Sequence, residues 1–305
     1  MDRAAVRAWL VALHDELTLA VERCDGGARC RRDTWQRAAG GGGETRVLRD
    51  GALLEQGGIS FAHVHGSTLP PAATRARAGL EGAACEAMGV SLVLHPRSPY
   101  VPATHLNLRF LVAEPAAATP VWWFGGGFDL TPCYPWPEDV LHWHRTAAAA
   151  CADCPPGTYQ RFKAWCDRYF WLPHRHETRG VGGLFFDDLC EWGFDATFAF
   201  VRRAAAAFLA GWLPIVERRR CLAWGERERQ FQLYRRGRYV EFNLLHDRGT
   251  LFGLESGGRT ESILMSLPPL ARWEYDWQPV AGSAEALLYR DYLRPRDWLG
   301  EAAAR

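Results

Sequence analysis

The chain has 305 residues, enough for one large domain or two ordinary ones, with the 48% hydrophobic and 23% charged residues of a globular protein. A formal net charge of +1 argues against nucleic acid as an obligate partner, while leaving room for a local basic pocket. No run of about 18 apolar residues argues for a membrane span, and the charged, amphipathic opening MDRAAVRAWLVALHDEL does not read as a secretory signal.

Residues 1 to 38 read as helical, and glycines 40 to 43 as a mobile loop. From residue 44 the pattern alternates as strands, with a turn at Asp50-Gly51. Residues 73 to 89 read as a short helix. Three strands follow, at 90–96, 105–114 and 119–132. Helices are expected over 137–154 and 157–175, a strand over 181–189, and a long helix over 191–220 broken near Pro214. Residues 238–258 read as a hairpin across Asp247-Arg248-Gly249, and the tail is rich in Trp and Pro. Neighbouring strands joined by short turns, with helices before and after, predict an α+β protein. Its expected form is a single large, mostly antiparallel β-sheet sandwiched between α-helices, in one domain spanning 1–305.

Several stretches carry chemistry. In HPRSPYVPATHLNLRF, residues 95–110, three prolines stiffen the path between His95 and His105. His105, Asn107 and Arg109 then share one face of a strand, with Leu106, Leu108 and Phe110 on the other. That polar row suits an anionic, hydrogen-bonding ligand. In WWFGGGFDLTP, residues 122–132, three glycines allow close backbone approach, and Asp129 needs partners in so apolar a setting. It either caps a turn through Thr131 or nearby amides, or accepts hydrogen bonds from a ligand. Gly257-Gly258-Arg259 can deliver amides and a guanidinium to one place as a carboxylate clamp, or can be a turn with a solvated Arg. Histidines cluster at 63/65, 95/105, 142/144 and 174/176, but neither the helical i,i+4 metal spacing nor HExxH occurs. The nine cysteines, odd in number and scattered, read as free thiols of a reducing cytoplasm, and the lone CxxC at Cys151 and Cys154 is weak support for zinc or redox work.

GVSLVLHPRSPYVPATHLNLRF, WWFGGGFDLTP, HRHETRGVGGLFFDD, RYVEFNLLHDRGTLFGLESGGRTESILMSLPP and YDWQP fall in order along the chain. Together they strongly resemble the oxygen-dependent coproporphyrinogen III oxidases of heme biosynthesis, over roughly Gly40 to Trp298. Cys133 departs from the aromatic expected after DLTP, and SFAHVHG differs slightly from the usual run. The resemblance implies oxidative decarboxylation of two propionates of coproporphyrinogen III to vinyls, giving protoporphyrinogen IX, with O2 as co-substrate. It implies a cytoplasmic homodimer joined through about residues 239–274. Ser91, Asn107, Leu108, Arg109, Gly257, Gly258 and Arg259 match substrate-contact positions. His105 matches a proton donor, and Asp129 the acid that faces the pyrrole nitrogens. His95, His105, His144 and His174 match four histidines assigned to a divalent metal in bacterial members, whereas eukaryotic relatives are thought to need no metal.

On this reading no redox cofactor is required, because the electron-rich pyrrole can itself give electrons to O2. Arg109 and Arg259 pair with propionates, Asp129 holds the ring N–H groups, and His105 moves protons. Replacing Asp129 by Ala is expected to cut turnover far more than stability. Two rivals stand beside it: a His-metal oxygenase acting on another substrate, and a non-enzymatic tetrapyrrole carrier. The anaerobic enzyme for the same reaction is excluded more firmly, since no CxxxCxxC run occurs.

Overall fold

The computed structural model describes residues 1–38, 40–69, 79–116, 118–255 and 257–303, with Phe252 as backbone only. Helix α1 (Arg3–Asp25) starts at Asp2, whose carboxylate accepts from the Ala5 N–H, and stops at Gly26 in the left-handed conformation. A meander of six strands follows: β1 (Arg31–Gln36), β2 (Gly41–Arg49), β3 (Leu54–Gly66), β4 (Ala84–Pro96), β5 (Ala103–Glu114) and β6 (Val121–Thr131). Next come α2 (Pro137–Ala150), α3 (Thr158–Tyr169) and a short ladder of β7 (Trp171–Leu172) with β8 (Glu177–Thr178). Strand β9 (Gly182–Leu189) then returns to the main sheet beside β6. The sheet has seven strands in the order β1-β2-β3-β4-β5-β6-β9, every neighbouring pair antiparallel. Helices α4 (Phe194–Arg219), α5 (Glu226–Leu245), α6 (Arg248–Glu255), α7 (Thr260–Leu264), α8 (Ala284–Asp291) and α9 (Trp298–Ala303) complete the described chain.

One sheet face is apolar. Leu92, Leu106, Phe128 and Leu184 lie in cross-strand register and are buried to 1% exposure or less with α1, α2 and α4. Helices α5 to α7 cover the other, polar face: Ser262 on α7 bonds Thr45 on β2 at 2.7 Å, and Gln232 on α5 bonds the Pro96 carbonyl at 3.0 Å. The α+β sandwich expected from the sequence is therefore present.

Five local expectations are corrected. Glycines 41–43, expected in a mobile loop, instead open β2, where Gly42 and Gly43 are paired with β1 on one side and β3 on the other. The first helix ends at Asp25, because its carboxylate turns back to accept from Ala28, Ala52, Leu53 and Leu54, and residues 31–36 become a strand. Of the helix expected over 73–89, residues 73–78 lie outside the described set, and 84–89 belong to β4, held between β3 and β5. The hairpin expected over 238–258 is instead the end of α5 followed by α6. Phe231, Tyr234, Arg235, Arg238, Tyr239 and Phe242 are all buried at helical spacing, but Arg235 and Arg238 sit within that stripe, which hid the period. Finally, α4 runs unbroken through Pro214. Proline cannot donate to the Ala210 carbonyl, and His142 Nε2 on α2 does so instead, at 3.1 Å.

Helix α4 is the one helix among the described residues long and apolar enough to cross a membrane, with a hydropathy of 1.4 over its most apolar window. Half of that window is buried inside the fold, where Phe200, Phe208, Trp212 and Ile215 are fully enclosed, as in a core helix.

Candidate active site

The polar sheet face is built of cross-strand rows, because directly paired residues point the same way. One row runs Val47, Gly58, Val93, His105, Asp129, Gly183. The next runs Asp33, Thr45, Ser60, Ser91, Asn107, Gly127. A third runs Trp35, Gly43, Ala62, Gly89, Arg109, Gly125. With the helices above, these rows enclose a cavity of about 370 Å³. Its walls bring together Ser91, His105, Asn107, Arg109, Gly258 and Arg259 from the sequence-predicted set. The polar row of β5 is therefore a cavity wall.

The triple glycine belongs to this wall. A side chain at Gly126 or Gly127 would meet the Asn107 or Leu184 carbonyl at 2.2 or 2.0 Å, and one at Gly125 would meet Arg109 Nε at 2.8 Å. The bulky neighbours that the glycines accommodate are thus the adjacent strands and the Arg109 guanidinium.

Asp129 lies just behind the cavity, 2% exposed. It caps no turn. Arg179 Nη2 donates to both of its oxygens, at 2.9 and 2.8 Å, and His105 Nδ1 lies 3.0 Å from Oδ1. Burial alone would raise the Asp129 carboxyl, but the Arg179 guanidinium, then His105, hold it below the usual carboxylate range. Arg179 is equally buried, donates to Asn243 at 2.7 Å, and sits 4.2, 4.3 and 4.9 Å from the ring centres of Phe170, Tyr239 and Phe242. With Asp129 accepting a hydrogen bond from Nδ1–H, Nε2 is the His105 nitrogen left to exchange a proton with a ligand.

The other two cations are also paired. Arg109 meets Asp187 at 2.7 Å, and Arg259 meets Asp33 at 2.6 Å. Two predicted substrate contacts face elsewhere. The Leu108 side chain is fully buried among the apolar core, so only its backbone adjoins the cavity wall, and Gly257 lines an adjoining hollow with Trp35, Arg37 and Arg259.

The four histidines of the expected metal set are not assembled. His95 is buried, donates from Nε2 to the Ser266 carbonyl at 2.8 Å, and is pushed down to about 3, first by burial and then by Arg236. His144 uses both nitrogens, Nε2 on the Val181 carbonyl at 3.0 Å and Nδ1 on the Tyr159 hydroxyl at 3.0 Å, and burial pushes it down to about 3 as well. His174 lies against Glu241 and His246, at 2.8 and 3.2 Å, in an exposed setting. Among the described residues the one group with three donor atoms within 4.8 Å is His63, His65 and Glu86, none of them from that set. The set does not fit a shared ion, because among the described residues its donor atoms do not converge within 4.8 Å of one another.

Sequence reasoning missed Arg179, Asn243 and Tyr239, and the inward residues of β1. Arg179 was in plain view in the stretch HRHETRG, but its partner Asp129 lies 50 positions away, and nothing local marks the pair. Compared with known families, residues 5–298 match the family model described as coproporphyrinogen III oxidase.

Proposed function

Because the chain belongs to the coproporphyrinogen III oxidase family, we propose that it oxidatively decarboxylates two propionates of coproporphyrinogen III to vinyl groups with O2. For each propionate, the carboxylate, one proton and O2 become a vinyl, CO2 and H2O2. The C–COO bond breaks, its electron pair forms the vinyl double bond, and a hydride equivalent leaves the adjacent carbon. Two electrons reduce O2. The observation that carries this reading is the single cavity wall holding Ser91, His105, Asn107 and Arg109, with Arg259 opposite.

Arg109 and Arg259 each meet a propionate, exchanging or sharing the aspartate that now holds them. Asn107 and Ser91 fix the macrocycle by hydrogen bonds. His105 Nε2 takes a proton from the substrate and passes it towards peroxide. Asp129 works through His105, fixing its tautomer and stabilising the imidazolium, as both of its oxygens are already engaged. It is a positioning residue on this reading, in place of the expected direct contact with ring N–H groups. The reaction is derived without metal, and His95 and His144 are read as structural.

We further read residues 1–305 as one catalytic domain acting in the cytoplasm as a homodimer. Support for the dimer comes from Leu244, Leu245, Leu254, Leu270 and Trp273, each at least 40% exposed around the end of α5 and beyond. The free thiols support a reducing compartment.

Oxygen uptake by chelator-treated, metal-analysed protein supplied with coproporphyrinogen III tests this function. Uptake with vinyl product and no metal is the expected result. Activity that vanishes and returns with one divalent ion would favour a metal oxygenase, and binding without uptake would leave a carrier.

A further inference from the structure

Strand β1 is the edge of the sheet, its inward residues are Asp33 and Trp35, and Arg37 follows one position beyond its end. Trp35 and Arg37 line both the cavity and the hollow beside it. Three of the four arginines on the cavity wall are spoken for: Arg109 by Asp187, Arg179 by Asp129 and Arg259 by Asp33. Arg37 alone makes no ion pair among the described residues. Its backbone is nevertheless fixed, donating to the Gly41 carbonyl at 2.9 Å and accepting from the Gly40 N–H at 3.1 Å. The indole of Trp35 lies on Gly43, where a Cβ would stand 2.6 Å from the ring. Its Nε1–H is buried yet has no hydrogen-bond partner. A buried N–H without an acceptor is costly, and its commonest explanation at a cavity wall is a ligand oxygen or water. With Arg259 and Asp33 beside it, this corner holds two guanidiniums against one carboxylate.

Between this corner and Arg109 the row passes through Gly43, which the Trp35 indole covers, to Ala62 and Gly89, which leave a floor of small residues. Four strand spacings separate Trp35 from Arg109 along the row, roughly 19 Å. A macrocycle with carboxylates on opposite sides can therefore span this floor and engage both ends. We propose that Arg37 and the Trp35 indole N–H form a second carboxylate subsite, which receives a propionate on the side of the macrocycle away from Arg109. This subsite rests on the functional reading above and adds a second carboxylate contact to it.

The test titrates intrinsic fluorescence with two oxidised probes, the four-carboxylate coproporphyrin III and the two-carboxylate protoporphyrin IX. Arg37→Ala should weaken the four-carboxylate probe about ten-fold, and Trp35→Phe, which keeps the ring and loses the N–H, about three-fold. The two-carboxylate probe keeps the propionates of the side away from the reacting end, so it should weaken by a similar factor in each variant. Arg32→Ala, on the outward side of the same strand, should change neither. Arg37→Gln replaces Arg37→Ala if circular dichroism shows that the latter is not folded. Unchanged four-carboxylate binding in both Arg37 and Trp35 variants overturns the subsite, and so does an equal loss in Arg32→Ala, which would signal bulk charge. The functional reading is judged separately, on the wild type: oxygen uptake with coproporphyrinogen III keeps it even if the subsite fails, whereas no uptake and no binding removes both.

Discussion

The Asp129–Arg179 pair makes the sharpest demand on the described fold. Both side chains are 2% exposed, the contact runs from one guanidinium nitrogen to both carboxylate oxygens, and three aromatic rings enclose the cation. Asp129→Asn keeps the shape and strands a buried guanidinium, which should cost about 3–5 kcal/mol. Arg179→Met strands the carboxylate, with only His105 left to compensate, and should cost about as much. The double variant strands neither, so its loss should fall short of the sum by at least about 2 kcal/mol. Urea unfolding followed by tryptophan fluorescence measures all three. Losses that simply add, or single losses below about 1 kcal/mol, would refute the argument that the pair acts as one buried unit. The same reasoning revises an expectation drawn from the sequence. Asp129→Ala should damage stability as well as turnover, because the aspartate is buried against a charge rather than presented to a ligand.

His95 and His144 are held near 3, below the unfolded value of about 6.5, so their contribution is complete above pH 6.5 and is lost as pH falls towards 3. At pH 5 each should have given up about 2 kcal/mol, read as a lower urea midpoint than at pH 7.5. Asp129 is likewise held below its ordinary value, so its contribution is complete at pH 5 and is lost only as pH falls below about 4, outside that window. Arg109→Lys loses the planar fork, and should raise KM about ten-fold in oxygen-uptake assays while leaving the urea midpoint almost unmoved, given that Arg109 is a third exposed. His142→Ala should cost about 1 kcal/mol in the wild type, where it removes the donor to the Ala210 carbonyl, and almost nothing in a Pro214→Ala background, where the helix supplies its own N–H. Equal costs in the two backgrounds would show that His142 does not repair the helix.

The legible parts of this protein are those written in a local period. The strict alternation from His105 to Phe110 marks both a strand and its polar face, and the cavity wall follows from it. The strands from 90 to 131 and the turn at Asp50-Gly51 are visible for the same reason. What escaped depends on distant partners. Helix α5 buries Arg235, Arg236 and Arg238 where a core helix would carry leucines, and Glu177 and Glu55 neutralise the first two from other elements. A helix whose buried stripe is charged has no apolar period to read. Likewise Pro214 reads as a break until a histidine on another helix takes over its missing donor. Residues 31–36 carry three charges in six positions, and they form a strand because β2 pairs with them, an arrangement that composition does not announce.

The pairing pattern of the arginines bears on selectivity. Two of the cations offered to a ligand, Arg109 and Arg259, arrive with an aspartate attached. A monocarboxylate that reaches either one must share or displace a partner already at about 2.7 Å, so single anions gain little there. A ligand with several carboxylates on one macrocyclic frame gains from each exchange, since each later contact is made within a molecule already held by the first. The near-zero net charge of the chain fits the same logic, because long-range attraction would concentrate any anion, whereas paired cations at fixed spacing select for the number and placement of carboxylates. Arg37 differs in being unpaired among the described residues, and a lone guanidinium at the far edge of the floor is where a carboxylate would make first contact.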